Sequence, residues 1–248
     1  MRSTLFVLLI IGTGCEKDLL ADMHDATVAD AQQVEVDGGR CMSPMTDAHP
    51  AAMHTLFVNF DGVLLTPCGT ADARLNCTGL VSTETMIPPF MDGNPARDAF
   101  IATILYPARK ALARYSLDIV TTRPTSGDYY MMIYGGTPQL LGLPAANVGI
   151  APFSCMPDNH NNISFTFDRG QAPTNIDYAD GILSDMGVFA GIPGTTVPGD
   201  CLCRSCQFPT DTVCTYGVDV PVSTDPAFSC GKTTVDEPAM LQDVLGCR

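Results

Sequence analysis

Ten cysteines between residues 41 and 247 constrain this chain more tightly than any apolar run does. With Cys15 the total is 11, an odd number. Set Cys15 aside and an even set remains: Cys41, Cys68, Cys77, Cys155, Cys201, Cys203, Cys206, Cys214, Cys230 and Cys247. In an oxidising compartment such a set reads as disulfides. In a reducing one, Cys201-x-Cys203-x-x-Cys206 has the spacing of a metal knot. Connectivity does not follow from spacing. Only Cys68 and Cys77, which flank one polar loop, are expected to pair with each other.

The N-terminus selects the compartment. Arg2 supplies a positive start, residues 5–11 are an unbroken apolar run, and Gly12, Thr13 and Gly14 precede Cys15. The run is too short to span a bilayer and has the form of a secretory signal. It resembles a bacterial lipoprotein signal, cleaved before a cysteine that becomes lipidated, with Gly12 where leucine usually stands. Residues 1–14 are therefore expected to be removed as a signal peptide and Cys15 to carry the lipid. Two or more acyl chains would hold the product stably at a membrane of the cell envelope. A plain secretory signal and a secreted product are the alternative. Either way the chain is exported and its cysteines are expected to be oxidised.

Charge narrows the partners. Lys and Arg number 13 against 27 Asp and Glu, for a formal net charge of -14. Phosphate backbones repel such a chain, so no nucleic-acid partner is expected. Arg109, Lys110 and Arg114 are the only basic cluster and read as a solvated helix face. Residues 15–52, rich in Ala, Asp, Gln and Gly, read as a flexible tether, with Cys41 pinning its far end to a domain over 53–248.

Within that domain, residues 55–60 are rich in strand formers and end at Asp61-Gly62. Residues 66–85 read as a polar loop. Asn94 and Pro95 start a long helix, with Ile104, Leu105, Ala108 and Leu112 in its buried stripe and Pro107 expected to kink or split it. Strands are expected over 118–122 and 129–134, a short one over 147–151, and a half-buried edge strand over 163–167, where Ile163, Phe165 and Phe167 alternate with Ser164 and Thr166. Residues 195–234 have no period. Asp236 and Pro238 start a last helix that ends at Gly246. The expected class is α+β: one mixed, twisted sheet, a long helix, a central helix, and a disulfide-rich, irregular part over 195–248.

The central helix lies within residues 178–194. Ala179, Ile182, Leu183, Met186, Phe189 and Ala190 recur at three- and four-residue steps. Asp177 is the expected N-cap, and Gly191 and Pro193 stop the helix. Ser184, Asp185 and Val188 share the opposite face.

This stretch resembles the active-site helix of the metzincin-type zinc proteases, H-E-x-x-H-x-x-G-x-x-H. There two histidines four apart grip zinc, and a glycine turns the chain toward a third. Anchored on Gly191, the first histidine falls on Ser184, the glutamate on Asp185, the second histidine on Val188 and the third on Gly194. The glycine and an acid remain; all three ligands are replaced. Residues 54–62, 118–124, 127–136 and 241–246 are also similar to a group of exported bacterial metalloprotease-like proteins. The element order is that of a zincin, in which an edge strand lines the cleft and the central helix lies beneath it. In intact relatives a methionine turn follows under the zinc; here the sequence is Asp200-Cys201-Leu202-Cys203, with Leu202 in the methionine's place.

The resemblance implies a zincin-like single domain whose catalytic site has decayed. No catalytic or metal-ligating residue is intact and no cofactor is expected, where intact relatives carry zinc. Ser184 is a poor ligand, Val188 and Gly194 are none, and Asp185 is one carbon short as a base. The four histidines are His24 and His49 in the tether, His54 opening a strand, and His160 in a polar turn; none supplies a missing ligand. A competing resemblance is to haloacid-dehalogenase-like phosphatases, through Asn59 to Leu64, Thr121 and the acids Asp180 and Asp185. It puts Asn59 where a nucleophilic aspartate is needed and Lys110 ahead of Thr121, the wrong order. Three readings follow: a pseudo-protease binding a peptide or protein in the relict cleft; an active hydrolase, either a zinc peptidase with a non-standard site or such a phosphatase; and a structural surface lipoprotein.

Overall fold

β-branched and aromatic residues make His54–Asn59 a strand, β1, whose two faces serve two different cores. The computed structural model describes Cys41 and residues 54–157, 161–168, 174–203 and 212–248. The expected signal peptide, Cys15, the tether histidines His24 and His49, His160 and Cys206 lie outside these residues.

After β1 the chain forms β2 (Val63–Pro67), β3 (Cys77–Thr78) and β4 (Thr85–Ile87), a small three-stranded sheet in the order β3-β2-β4. Residues 66–85, expected as a polar loop, thus hold strands of this sheet. Its strands are two to five residues long, too short for alternation to register. Helix α1 (Arg97–Leu112) follows, then β5 (Leu117–Val120), β6 (Tyr130–Tyr134), β7 (Gly149–Ile150), β8 (Ile163–Thr166) and helix α2 (Asn175–Phe189). The C-terminal part holds β9 (Val220–Pro221), the one-turn α3 (Pro226–Ser229), β10 (Thr234–Val235) and α4 (Glu237–Leu245).

The main sheet has five strands in the order β5-β1-β6-β8-β7. All neighbours run parallel except β7, which pairs antiparallel with β8 through Gly149↔Thr166 and Ile150↔Phe165. One face carries Leu56, Val58, Tyr130, Met132 and Tyr134 and buries them against α1 and α2. The other carries Phe57, Met131, Ile133, Ile163 and Phe165 and buries them against Val63, Leu65 and Ile87 of the small sheet. This corrects the expected edge strand: β8 is buried along its whole length, and β7 is the edge on that side of the sheet. The alternation over 163–167 separates two interiors rather than core from water.

Pro107 does not break α1. It lacks the N–H that would reach the Thr103 carbonyl four residues back, and the Asn175 side-chain amide on α2 reaches that carbonyl instead, at 3.5 Å. Disulfides staple the chain in several places. Cys68 and Cys77 pair as expected; Cys41 joins Cys247, Cys155 joins Cys230 and Cys201 joins Cys214. Cys203 is disulfide-bonded as well, to a partner outside the described residues. The metal-knot alternative therefore fails: Cys201 and Cys203 hold sulfur, not metal. Such bonds fit an extracytoplasmic location, and among the described residues no helix is long and apolar enough to cross a membrane.

Candidate functional site

Local chemistry defines both ends of α2. The N-cap is Thr174, not Asp177: its hydroxyl accepts from the Asp177 backbone N–H at 3.2 Å, and the Asp177 carboxylate accepts from the Thr174 backbone N–H at 2.8 Å. This capping box satisfies two of the orphan donors of the first turn. At the other end Gly191 takes φ +72°. Its N–H donates to Val188 and that of Ile192 to Gly187, each at 3.0 Å, which is a Schellman closure. The helix thus ends at Gly191, the stop expected from the sequence.

The positions singled out on and after this helix lie in different surroundings. Val188 is 3% exposed and belongs to the core beneath the sheet. Asp185 is buried and Ser184 half-buried. Gly194 is sealed into the C-terminal part: its N–H donates to the Phe228 carbonyl at 3.0 Å and its carbonyl accepts from Ser223 N–H at 2.7 Å. Serine, valine and glycine offer zinc no imidazole, and among the described residues no three His, Cys, Asp or Glu side chains are grouped to hold a metal ion. His54 is buried at the start of β1, its backbone N–H donating to Ser116.

Leu202 packs directly under the helix. A methyl group built on Gly187 would lie 2.5 Å from a Leu202 Cδ, so the absence of a side chain at 187 admits the leucine. Ser184, one turn before Gly187, is a neighbour on that side of the helix; Val188 and Asp185 point elsewhere. Asp200 shapes this loop: its carboxylate accepts from the Thr195 hydroxyl at 2.7 Å and from Leu202 N–H at 2.8 Å. The Cys201–Cys214 disulfide closes it.

Buried acidic groups brace the C-terminal part, and two of them, Asp180 and Tyr216, tie it to α2. Asp180 accepts from Cys214 N–H at 2.9 Å, and burial raises its carboxyl to about 6. Glu237, fully buried in the first turn of α4, accepts from Gly217 N–H at 2.8 Å. Burial and the nearby Asp200 carboxylate raise Glu237 to about 9, so it stays protonated at neutral pH. The Tyr216 hydroxyl donates to the Leu183 carbonyl at 2.5 Å, and burial holds it neutral. Periodicity marked none of these groups, because each is defined by a partner distant in the chain. Asn59, the residue in the nucleophile's place of the phosphatase resemblance, is occupied in a turn: its carbonyl accepts from Asp61 N–H at 3.0 Å and its amide donates to the Gly62 carbonyl at 3.3 Å.

A cavity of about 320 Å³ lies elsewhere, past the C-terminal ends of β6 and β8. Thr137, Pro138, Gln139, Ala145, Ala146, Asn147, Val148, Phe167 and Asp168 line it; none of Ser184, Asp185, Val188, Gly191 or Gly194 does. It adjoins the sheet edge. Phe167 N–H donates to the Val148 carbonyl and Ile150 faces Phe165. By the alternation of an antiparallel ladder, Gly149 between them turns its N–H and C=O away from β8. Among the described residues no strand pairs with β7 on the side away from β8, and the cavity lies beside it. No family model matches the chain, and no curated protein does.

Proposed function

We propose that the chain is a non-catalytic, metalloprotease-like domain of an exported lipoprotein, anchored through Cys15, that holds an extended polypeptide along the open edge of β7. The observation that carries the reading is Leu202 seated against Gly187. A residue in the place of the methionine beneath the zinc lies under the helix that would carry the ligands, and apolar packing occupies the region. The element order supports it further: β1, then the small sheet β2 to β4, the long α1, β5, β6, the edge strand β7, β8, then α2 and an irregular C-terminal part. It follows the zincin order, apart from the place of the edge. Strand addition suits a protein without a nucleophile, since main-chain hydrogen bonds supply affinity and side pockets supply selectivity.

Two measurements on the purified, disulfide-intact protein test this. Metal analysis should find zinc far below stoichiometric, and casein-like substrates should stay intact. Phage-displayed decapeptides should be retained by the wild-type domain, and synthetic copies N-methylated at alternate amides should not bind. Near-stoichiometric zinc with chelator-sensitive proteolysis would overturn the non-catalytic half. Failure to retain any peptide would overturn the binding half and leave the structural-lipoprotein reading.

A further inference from the structure

We infer that the outer side of α1 around Lys110 and Arg114 docks the domain onto anionic lipid headgroups of the membrane that holds it; this rests on the reading of Cys15 as a lipid anchor. Tyr106 and Lys110, four residues apart, share a side of α1, and Arg114 follows in the turn that ends the helix. Tyr106 is 48% exposed, Arg109 and Lys110 are exposed, and Arg114 is half-buried. Covalent structure brings the anchor to the same place. The segment leading from Cys15 enters the domain at Cys41, which is bonded to Cys247. Cys247 bridges to Tyr115, and Arg248 N–H donates to the Arg114 carbonyl at 3.0 Å. Arg248 thereby joins the cluster of Arg109, Lys110 and Arg114.

The charge there is available. Arg109, Lys110 and Arg114 form no ion pair among the described residues. Arg109 donates to the Ile119 carbonyl of β5 at 3.0 Å, and the Arg114 guanidinium lies 5.5 Å from the centre of the Tyr115 ring. The acids closest along the chain are Asp118, which Arg248 pairs, and Asp243 of α4. The carboxylates behind the net charge of -14 act over about 8 Å at physiological salt. Asp98, at the other end of α1, is about 18 Å from Lys110 along the axis and is screened. An anionic surface is therefore attracted locally by a protein that it repels as a whole. Each Lys or Arg brought to such a surface strengthens association about fivefold. Tyr106 adds an amphipathic ring of the kind that settles at headgroup depth. β5 and β7 are opposite edges of the main sheet, so docking beside β5 turns β7 away from the membrane.

The test uses the full lipoprotein reconstituted in vesicles of phosphatidylcholine, with or without phosphatidylglycerol, made with brominated acyl chains. The chain has no tryptophan, so Tyr106→Trp introduces a single fluorescent reporter. Leu75→Trp, at a 70% exposed position between β2 and β3, is the reference. Melting temperatures serve as folding controls. Bromine should quench the indole at 106 only in vesicles with phosphatidylglycerol. Raising salt from about 0.1 to about 1 M, which shortens the screening length from about 10 to about 3 Å, should reverse the quenching. Lys110→Glu, which changes the local charge by two, should weaken the docked state about tenfold or more. Protein that floats with the vesicles yet shows no quenching at 106, equal quenching at 75, or quenching indifferent to salt and to Lys110→Glu would overturn the docking face and leave the anchor standing. Failure to float with phosphatidylcholine vesicles would overturn both.

Discussion

Glu237 and Asp200 converge on the backbone of Gly217. Glu237 accepts from the Gly217 N–H at 2.8 Å, and a methyl group built on Gly217 would sit 3.3 Å from an Asp200 carboxylate oxygen. One acid belongs to α4 and the other to the loop beneath α2. A proton held by Glu237 is what allows two buried carboxyl groups to face one another there without mutual repulsion.

The pH dependence of stability follows. Glu237 rises from 4.5 to about 9 on folding and Asp180 from 3.8 to about 6. In each case the folded protein holds a proton that the unfolded chain releases. Their contribution is complete below the unfolded values and is lost as pH rises through the folded ones. The urea midpoint should therefore fall between pH 4.5 and about 9. Glu237→Gln keeps an oxygen for Gly217 and an N–H for Asp200, so it should flatten the Glu237 part of that slope. A variant with the wild-type slope would show that Glu237 is not the group responsible.

The contact between Leu202 and Gly187 should be stiff. Gly187→Ala drives a methyl group into the leucine and should cost about 1–3 kcal/mol; Leu202→Ala should cost about 2–5 kcal/mol. If the two residues share one space, the double variant will lose less than the sum, by about 0.5–3 kcal/mol. Strict additivity in chemical denaturation would place the strain elsewhere.

Rebuilding the zinc signature should be costly. Ser184→His, Asp185→Glu, Val188→His and Gly194→His restore three ligands, but Val188 lies in the core and Gly194 inside a web of backbone bonds. Val188→His alone should lower stability by about 1–3 kcal/mol, the cost of a buried polar group without its partner. In the fourfold variant zinc should recover part of that loss, seen as a melting temperature that rises with added zinc. A zinc-independent melting temperature would refute the register anchored on Gly191.

Alkylation of the denatured, unreduced protein should find none of the nine described cysteines free. Intact mass of membrane-extracted protein should correspond to cleavage before Cys15 plus acyl chains. Six or more free thiols, or a mature N-terminus elsewhere without lipid mass, would contradict the exported lipoprotein.

Much of this fold was legible because its signals are local. The caps of α4 are an example: Asp236 accepts from Ala239 N–H, and Gly246 ends the helix at φ +72°. Gly191 likewise marked its turn. Alternation over 163–167 revealed a strand but not its place, since a strand between two cores alternates as an edge strand does. Thr174 is hard to tell from Asp177 as the cap, because Asp177, three residues on, is an equally good capping residue and serves the same box from its other side. The cavity had no signal at all. Thr137, Asn147 and Asp168 lie on three separate segments, and only the pairing of β7 with β8 brings them together.

The Cys41–Cys247 bond ties residues 206 positions apart, with Cα atoms 5.1 Å from each other. Near the knot the Ser116 hydroxyl donates to the Cys247 carbonyl, and Arg248 meets the Leu117 carbonyl and Asp118 at the start of β5. The polypeptide between the two cysteines is therefore a closed covalent ring. A processive machine that grips either end pulls on the same crosslink and cannot peel strands one at a time. A single proteolytic nick within the ring releases no fragment. Durability of that kind rests on topology more than on packing.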